Sequence, residues 1–223
     1  MTAPSSILIV DDHELVGSAL ALNLRAEGEE AVFRPVRSAA GILDEVRRTA
    51  PGLIVLDLDL DLGRDPDGRR IDGVRLVGPM VELGWRVVIL SGSSDAGRVG
   101  AALEAGGFVF VPKNAPFPAL LNAIREATAG RSVMPPGRRE QLIALHRDRE
   151  SERRELHEKL RTLTQREREV LALLAGGKRA QVVADHFVVS LATVRTQIRA
   201  VLTKLGVGSQ LEAVALYRKA AGL

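Results

Sequence analysis

The 223-residue chain is 46% apolar and 26% charged, proportions that exclude wholesale disorder and leave room for one large domain or two small ones. It has no cysteine, which excludes disulfides, thiolate catalysis and cysteine-bound zinc. Residues 1–130 carry 13 Lys and Arg against 18 Asp and Glu, a net charge of −5, whereas residues 131–223 carry 18 against 10, a net charge of +8. The basic half predicts a polyanionic partner, with a merely solvated basic surface as the alternative.

The first 130 residues alternate between short apolar runs, which predict strands, and amphipathic stretches, which predict helices. The predicted strands are residues 7–10, 31–36, 53–57, 86–90 and 108–111, and the predicted helices are about 14–27, 39–49, 72–83, 96–104 and 117–129. Five such units predict an α/β fold with a doubly wound, five-stranded parallel sheet. Ligands of such sheets gather outside the carboxyl ends of the strands.

The rest of the chain is predicted to be helical. Residues 138–161 contain neither Gly nor Pro and favour one long helix, in which the leucine spacing leaves both a dimeric coiled coil and a plain connector open. Capping boxes at Thr164 and Ser209 and an N-cap at Ser190 predict further helices. These run from 164 to the Gly176-Gly177 pair, over about 180–187, over 191–205, and from 209 to about 221.

No secretory signal pattern and no apolar segment of about 20 residues is present, so we expect a cytoplasmic protein without a membrane partner. We therefore predict three parts: a sheet domain over residues 1–130, a helical linker over 131–162 and a small all-α domain over 163–223.

Acidic side chains mark the ends of two predicted strands. The run "ILIVDD" ends at Asp11 and Asp12, and "LIVLD" ends at Asp57. Because strands one and three are neighbours in a doubly wound sheet, the three carboxylates converge, and their charges need a compensating cation. Oxygen ligands of this kind suit Mg²⁺, which also binds phosphate.

Two more polar groups follow predicted strands at the same edge: Ser91 in "VVILSG" and Lys113 in "FVFVPK". A hydroxyl and an ammonium there could both reach a phosphoryl group on one carboxylate. Taken singly, each of these groups has a plain explanation as a helix cap, a turn residue or a surface charge. Their joint placement at one edge favours a site.

These motifs, together with "AGGFVFVPKN", resemble the receiver domain of two-component response regulators over residues 7–130. The resemblance implies a flavodoxin-like fold and a self-catalysed transfer of a phosphoryl group from a histidine kinase to Asp57, followed by its hydrolysis, without turnover of an external substrate. The residues it implies are Asp57 as phosphoacceptor, Ser91 and Lys113 beside it, Phe110 as the aromatic switch, and Asp11, Asp12, Asp57 and the backbone carbonyl of Asp59 as Mg²⁺ ligands.

One segment departs from the family pattern, since Asp72-Gly73 comes fifteen residues after Asp57, later than is usual. The surplus residues are polar and rich in turn formers, so we expect a surface loop in which Asp61, Asp65 and Asp67 are solvated.

A second interpretation of the same residues is possible, because "LIVLDLD" also resembles the Asp-x-Asp motif of haloacid-dehalogenase phosphohydrolases. Asp57 would then be the nucleophile and Asp59 the general acid–base. That motif normally lies on the first strand, and no cap domain is available here, so this is the alternative.

Residues 163–221 resemble the LuxR-type helix-turn-helix module, on the strength of "LTQREREVLALLAGG", "VSLATVR" and "LTKLGV". The resemblance implies that the helix over 191–205 reads the major groove of DNA. The residues implied to contact DNA are Thr193, Arg195, Thr196 and Arg199 on that helix, and Lys178, Arg179 and Lys204 at the DNA backbone.

Together the two resemblances predict a response regulator of the NarL/FixJ family, which binds DNA and forms a homodimer when phosphorylated. The last helix resembles the dimerisation helix of that family. A receiver that acts only through protein partners is the remaining alternative.

Overall fold

The computed structural model describes residues 6–35, 38–64, 68, 70–92 and 95–221, with the backbone alone at residues 61–64. The chain divides into two compact units, Met1–Arg147 and Asp148–Leu223. The predicted boundaries between the sheet domain, the linker and the all-α domain, at residues 130 and 162, stay a prediction.

The first unit is built on a parallel sheet, as predicted. Its elements in chain order are β1 (Ile7–Asp11), α1 (Glu14–Ala26), β2 (Ala31–Pro35), α2 (Ala39–Arg48), β3 (Leu53–Asp57), β4 (Asp59–Arg64), β5 (Arg70–Asp72), α3 (Val74–Glu82), β6 (Arg86–Ser91), α4 (Ala96–Glu104), β7 (Val109–Pro112) and α5 (Phe117–Thr128). Five of the strands form one sheet in the order β2-β1-β3-β6-β7. All the neighbours in it are parallel, which confirms the doubly wound fold.

Alternate residues of the central strands feed two separate cores. In β1, Leu8 and Val10 belong to one apolar cluster, and Ile7 and Ile9 belong to another. All five residues of β1 and of β3 are buried, because helices cover both faces of the sheet. Each fully buried Leu, Ile or Val contributes about 1.5–3 kcal/mol to folding.

The surplus segment, expected to be a surface loop, begins and ends in two short strands that were not predicted, β4 and β5, which form a hairpin. Strands β4 and β5 pair antiparallel, with Leu60 opposite Ile71. Leu58, Leu60 and Ile71 are buried in the same cluster as β3. The alternation of Leu with Asp in "LDLDL" is the period of a half-buried strand, and burying these leucines outweighs the turn formers that follow.

The acidic residues Asp61, Asp65 and Asp67 of this segment were predicted to be solvated. The side chain of Asp61, and Asp65 and Asp67 altogether, lie outside the described residues.

Helix α6 (Arg138–Arg161) is found where it was predicted, and its first turns pack on the first unit. Leu142 is buried in the core cluster that contains α4. A Cβ at Gly100 of α4 would lie 2.1 Å from the carbonyl oxygen of Leu142, so the close crossing of the two helices requires glycine there. Arg139 donates to the backbone carbonyls of Leu103, Gly107 and Phe108. These carbonyls lie at and just after the carboxyl end of α4, where helix carbonyls lack partners within the helix.

The second unit contains α7 (Gln165–Ala175), α8 (Ala180–Phe187), α9 (Leu191–Leu205) and α10 (Gln210–Ala221), which confirms the predicted helices. Thr164 and Glu167 form the predicted capping box. Ser190 accepts the backbone N–H of Thr193 at 3.1 Å and so caps α9. Leu163, just after α6, is buried in this unit, and the choice between a dimeric coiled coil and a plain connector for α6 stays a prediction.

Every helix in the described part of the chain is too short or too polar to span a bilayer.

Candidate functional site

The carboxyl edge of the sheet brings the three predicted carboxylates together. Asp11, Asp12, His13 and Asp57 each offer a ligand atom, and these atoms all lie within 4.8 Å of one another. The side chains of Asp11, Asp12 and Asp57 are only 3%, 1% and 0% exposed. Three acids withdrawn from water at this distance need positive charge beside them.

Lys113 supplies one positive charge to this cluster. Its Nζ lies 2.5 Å from Oδ2 of Asp57 and 3.3 Å from Oδ2 of Asp11. Burial disfavours the charge on Lys113, but the carboxylates of Asp57 and Asp11 outweigh burial and raise the pKa of Lys113 above its ordinary value. Lys113 is therefore an ammonium at neutral pH.

Asp57 is the most deeply placed acid of the cluster. Its Oδ1 accepts the backbone N–H of Asp59 at 2.9 Å. Burial raises the pKa of Asp57 above its ordinary value, although Lys113 and the Asp59 N–H both act to lower it. Lys113 and this N–H therefore only partly offset the burial of the Asp57 carboxyl.

His13 belongs to the cluster although it was not predicted. Its backbone N–H donates to Oδ1 of Asp11 at 2.8 Å, and its ring Nδ1 lies 2.7 Å from Oδ1 of Asp12. The only signal in the sequence is its position directly after the acidic pair.

Ser91 lies at the expected edge, but its hydroxyl contacts Asp59. Ser91 Oγ donates to Oδ2 of Asp59 at 3.0 Å. The other oxygen of Asp59 accepts from Arg98 of α4 at 2.8 Å, and Arg98 also donates to Asp72 at 2.9 Å. Asp59 was predicted to contribute its backbone carbonyl, which stays a prediction; the structure engages its side chain.

Arg98 was missed by the sequence analysis. It lies on a helix far along the chain from both of its acidic partners, and no motif marks it.

Phe110, the predicted aromatic switch, is half-buried on β7 and packs against the core that contains α4. Together with Ser91 it lines a cavity of about 300 Å³ between β6, β7, α4 and the start of α6.

The second unit displays the seven predicted DNA contacts at its surface. Along α9, Val194, Val201 and Leu205 are buried. The exposed predicted contacts are Lys178, Arg179, Thr193, Arg195, Thr196, Arg199 and Lys204.

Lys204 differs from the other predicted contacts, because its Nζ donates to Oε2 of Glu167 at 2.7 Å. Burial opposes ionisation of Glu167, but hydrogen bonds from Lys204 and Thr164 outweigh it and hold the pKa of Glu167 below its ordinary value. Lys204 thus joins α9 to the capping box of α7, and its contact with DNA stays a prediction.

The turn between α8 and α9 holds a strained residue. Val188 has a φ of 55°, in the left-handed region, and its side chain is 91% exposed. A β-branched residue rarely adopts this conformation.

An acidic cluster at the carboxyl edge of a doubly wound sheet, in a chain that also carries a helix-turn-helix module, defines the class of receiver-linked DNA-binding proteins. Residues 7–125 match the family described as response regulator receiver domain, and residues 161–217 match the bacterial regulatory proteins of the luxR family. The chain belongs to the two-component response regulators, in the NarL/FixJ family.

The chain is similar to known regulatory proteins along nearly their whole length. The transcriptional regulatory protein DesR of Bacillus subtilis is 26% identical over 209 residues, 94% of each chain. The response regulator protein VraR of Staphylococcus aureus is 29% identical over 209 residues, 93% of each chain.

Solved structures support the fold. RcsB from Salmonella enterica serovar Typhimurium, bound to promoter P1flhDC in the presence of phosphomimetic BeF3−, has a TM-score of 0.52 at 19% identity, covering 96% of this chain and 98% of that one. A structure of two RcsB dimers bound to two parallel DNAs has a TM-score of 0.51 at 20% identity, covering 98% and 99%.

The receiver match includes Asp57 together with the acidic pair on β1, so the phosphohydrolase interpretation is not supported.

Proposed function

We propose that the protein is a transcriptional regulator whose DNA binding is controlled by phosphorylation of Asp57, with a histidine kinase as the phosphoryl donor. The buried Asp57 carboxylate, paired with Lys113 at 2.5 Å beside Asp11 and Asp12, is the observation on which the proposal depends. A nucleophile, a fixed ammonium and an unbalanced acidic cluster at one edge suit the acceptance of a phosphoryl group.

In the transfer, a carboxylate oxygen of Asp57 attacks the phosphorus of a phosphohistidine or an acyl phosphate in line. The new P–O bond forms as the bond between phosphorus and the donor's nitrogen or oxygen breaks, and that electron pair leaves with the donor. The ammonium of Lys113 neutralises charge on the oxygens of the moving group. Water later hydrolyses the aspartyl phosphate to inorganic phosphate and restores the carboxylate.

The chemistry of the donor set fits Mg²⁺. Asp11, Asp12 and Asp57 would hold the ion, with the backbone carbonyl of Asp59 as a further ligand. When bound, the ion supplies positive charge to the phosphoryl oxygens. Mg²⁺ prefers oxygen, so we assign the ring of His13 to the acidic pair rather than to the ion.

Labelling with acetyl phosphate and Mg²⁺ tests the first half of the proposal. We expect one acid-stable, alkali-sensitive phosphoryl group per chain, and none in Asp57→Asn, because the amide is not a nucleophile. Lys113→Ala should slow labelling about 100-fold, since it removes charge stabilisation from the transition state. Equal labelling of Asp57→Asn would show that another residue accepts the phosphoryl group.

The DNA-binding half depends on α9. Arg195 and Arg199 are exposed and lie one turn apart, so both guanidinium groups face the same way. Either one can bind guanine bidentately or a phosphate.

Salt titration of DNA binding tests this half. Arg195→Ala and Arg199→Ala should each weaken binding by about 1–3 kcal/mol. Lys159→Ala removes an exposed positive charge of the same unit outside the helix-turn-helix and serves as the matched control. If affinity for DNA is absent, or does not fall as salt rises, the receiver acts through protein partners instead.

We also propose that the phosphorylated protein is a homodimer in the cytoplasm, where its DNA is. Leu211 of α10 is 79% exposed, which supports α10 as the contact between the two copies.

A further inference from the structure

Asp59 occupies the hydrogen-bond donors at the carboxyl end of β6. Oδ2 of Asp59 accepts the hydroxyl of Ser91 at 3.0 Å and the backbone N–H of Gly92 at 3.3 Å. In the register of β3 and β6, Asp57 lies opposite Leu90, so both donors come directly after the position level with Asp57. An anion of the protein itself therefore holds the donors on this side of Asp57.

A phosphoryl group on Asp57 needs the same donors. It adds a charge of about −1.5 to −2 and three strong acceptor oxygens at this edge. Lys113, after β7, lies at Oδ2 of Asp57, and the acidic pair at the end of β1 lies beside Asp57. Ser91 and Gly92 are the neutral donors at the end of β6. The single hydroxyl proton of Ser91 cannot bind two anions at full strength, and neighbouring anions repel.

Arg98 offers Asp59 a second place to bind. It donates to Oδ1 of Asp59 at 2.8 Å, the oxygen that Ser91 does not use. Its other nitrogen donates to the carbonyl of Leu58 at 3.0 Å and to Asp72 at 2.9 Å. Asp59 begins β4 and Asp72 ends β5, so the base of the hairpin fixes the guanidinium.

We propose that Asp59 is a positioning residue that occupies the phosphoryl-binding donors of Ser91 and Gly92 before phosphorylation, and that Arg98 retains Asp59 once those donors turn to the phosphoryl group. This inference deepens the proposed function and depends on Asp57 being the phosphoacceptor. It gives the hairpin a role, since the hairpin supplies both acids that hold Arg98. By holding these donors, Asp59 slows the phosphorylation of Asp57. Arg98 lessens this effect, because it gives the Asp59 carboxylate another partner.

Two substitutions that break the same ion pair should act in opposite directions. Asp59→Asn keeps the shape but loses the charge, so Ser91 and Gly92 are released more readily, and labelling by acetyl phosphate should be about fivefold faster. Arg98→Gln leaves the Asp59 charge without its second partner, and labelling should be about fivefold slower. Arg98→Lys restores the charge with fewer hydrogen bonds and should fall between wild type and Arg98→Gln.

The measurement uses the full chain at saturating Mg²⁺, so that changed ion affinity does not enter the rates. Asp44→Asn and Arg47→Gln break an exposed ion pair of 2.9 Å on α2 and should leave the rates unchanged. Fluorescence of Trp85, the only tryptophan and a buried one, monitors folding of each variant.

A merely structural ion pair would make Asp59→Asn and Arg98→Gln alike. If both variants are slower, or both match the wild type while Asp57 is still labelled, the inference is wrong and the proposed function stands. If Asp57→Asn is labelled as fast as the wild type, the proposed function fails and this inference fails with it.

Discussion

At the scale of single residues, the chain passes tightly against the backbone of Asp57 and Leu58 at Gly73. A Cβ there would lie 2.5 Å from the carbonyl oxygen of Asp57 and 2.7 Å from Cα of Leu58, and both are backbone atoms that cannot swing aside. We expect Gly73→Ala to destabilise the first unit by about 1–3 kcal/mol and to slow phosphorylation, because the backbone that carries Asp57 must shift.

Denaturant unfolding followed by Trp85 fluorescence measures this cost. Gly78→Ala in α3 is the matched control, since the nearest atom to its added Cβ would be 4.0 Å away. Alanine favours helix over glycine, so the control should be neutral or stabilising by up to about 1 kcal/mol. Equal loss in both variants would show that the approach at Gly73 is not tight.

A second residue, Glu167, gives the second unit a dependence on pH. Its folded pKa lies below the ordinary value of 4.5, so its ionised form stabilises the unit above about pH 4.5, and that stability is lost as pH falls through the folded pKa. Glu167→Gln should therefore reduce stability at neutral pH and flatten its decline in acid.

Thermal unfolding between pH 3 and pH 7 checks this, with near-ultraviolet signals of Tyr217 as the probe. Tyr217 is the only tyrosine and packs against the core of the second unit. Glu169→Gln on the same helix, whose partner Arg166 is exposed, should leave the acid limb unchanged. An unaltered acid limb in Glu167→Gln would contradict the assigned pKa.

At the scale of elements, the crossing of α4 and α6 depends on one missing side chain. Gly100→Leu should displace the first turns of α6, because any Cβ meets the backbone of Leu142, and should leave the sheet intact. Hydrogen exchange should become faster in residues 138–147 and stay slow in β3. Unchanged exchange in the first turns of α6 would show that the helices separate without cost.

The sequence predicted elements wherever one periodic signal was dominant. The central strands β1 and β3 were found because they are apolar up to their final Asp, and the helices of the second unit because caps mark their ends. The hairpin was missed because the turn formers after Leu60 favoured a loop over a strand. The burial of Leu58 and Leu60 depends on tertiary packing, which the local sequence does not show.

The sequence also predicted which polar residues lie at the carboxyl edge of the sheet, but not all of their contacts. Asp11, Asp12, Asp57, Ser91 and Lys113 share one edge because parallel strands align their carboxyl ends. Arg98 could not be predicted, because its partners Asp59 and Asp72 reach it only through the fold of the hairpin.

At the scale of the whole molecule, association of two copies is one route by which phosphorylation of the first unit can change DNA binding by the second. Because a dimer engages two half-sites together, we expect phosphorylation to raise affinity for a two-half-site operator about tenfold. Leu211→Glu should abolish dimer formation and this gain, since a charge replaces an exposed apolar contact on α10, while labelling of Asp57 continues at the wild-type rate.

Sedimentation of the phosphorylated chain and DNA titration at fixed salt measure the two effects separately. Gln210→Glu introduces the same charge at the neighbouring exposed position of α10 without removing the leucine, and should dimerise as the wild type does. If Leu211→Glu still dimerises, the contact lies on another surface. If it remains a monomer yet keeps the tenfold gain, phosphorylation acts on DNA binding within a single chain, and dimer formation is not the link between the two units.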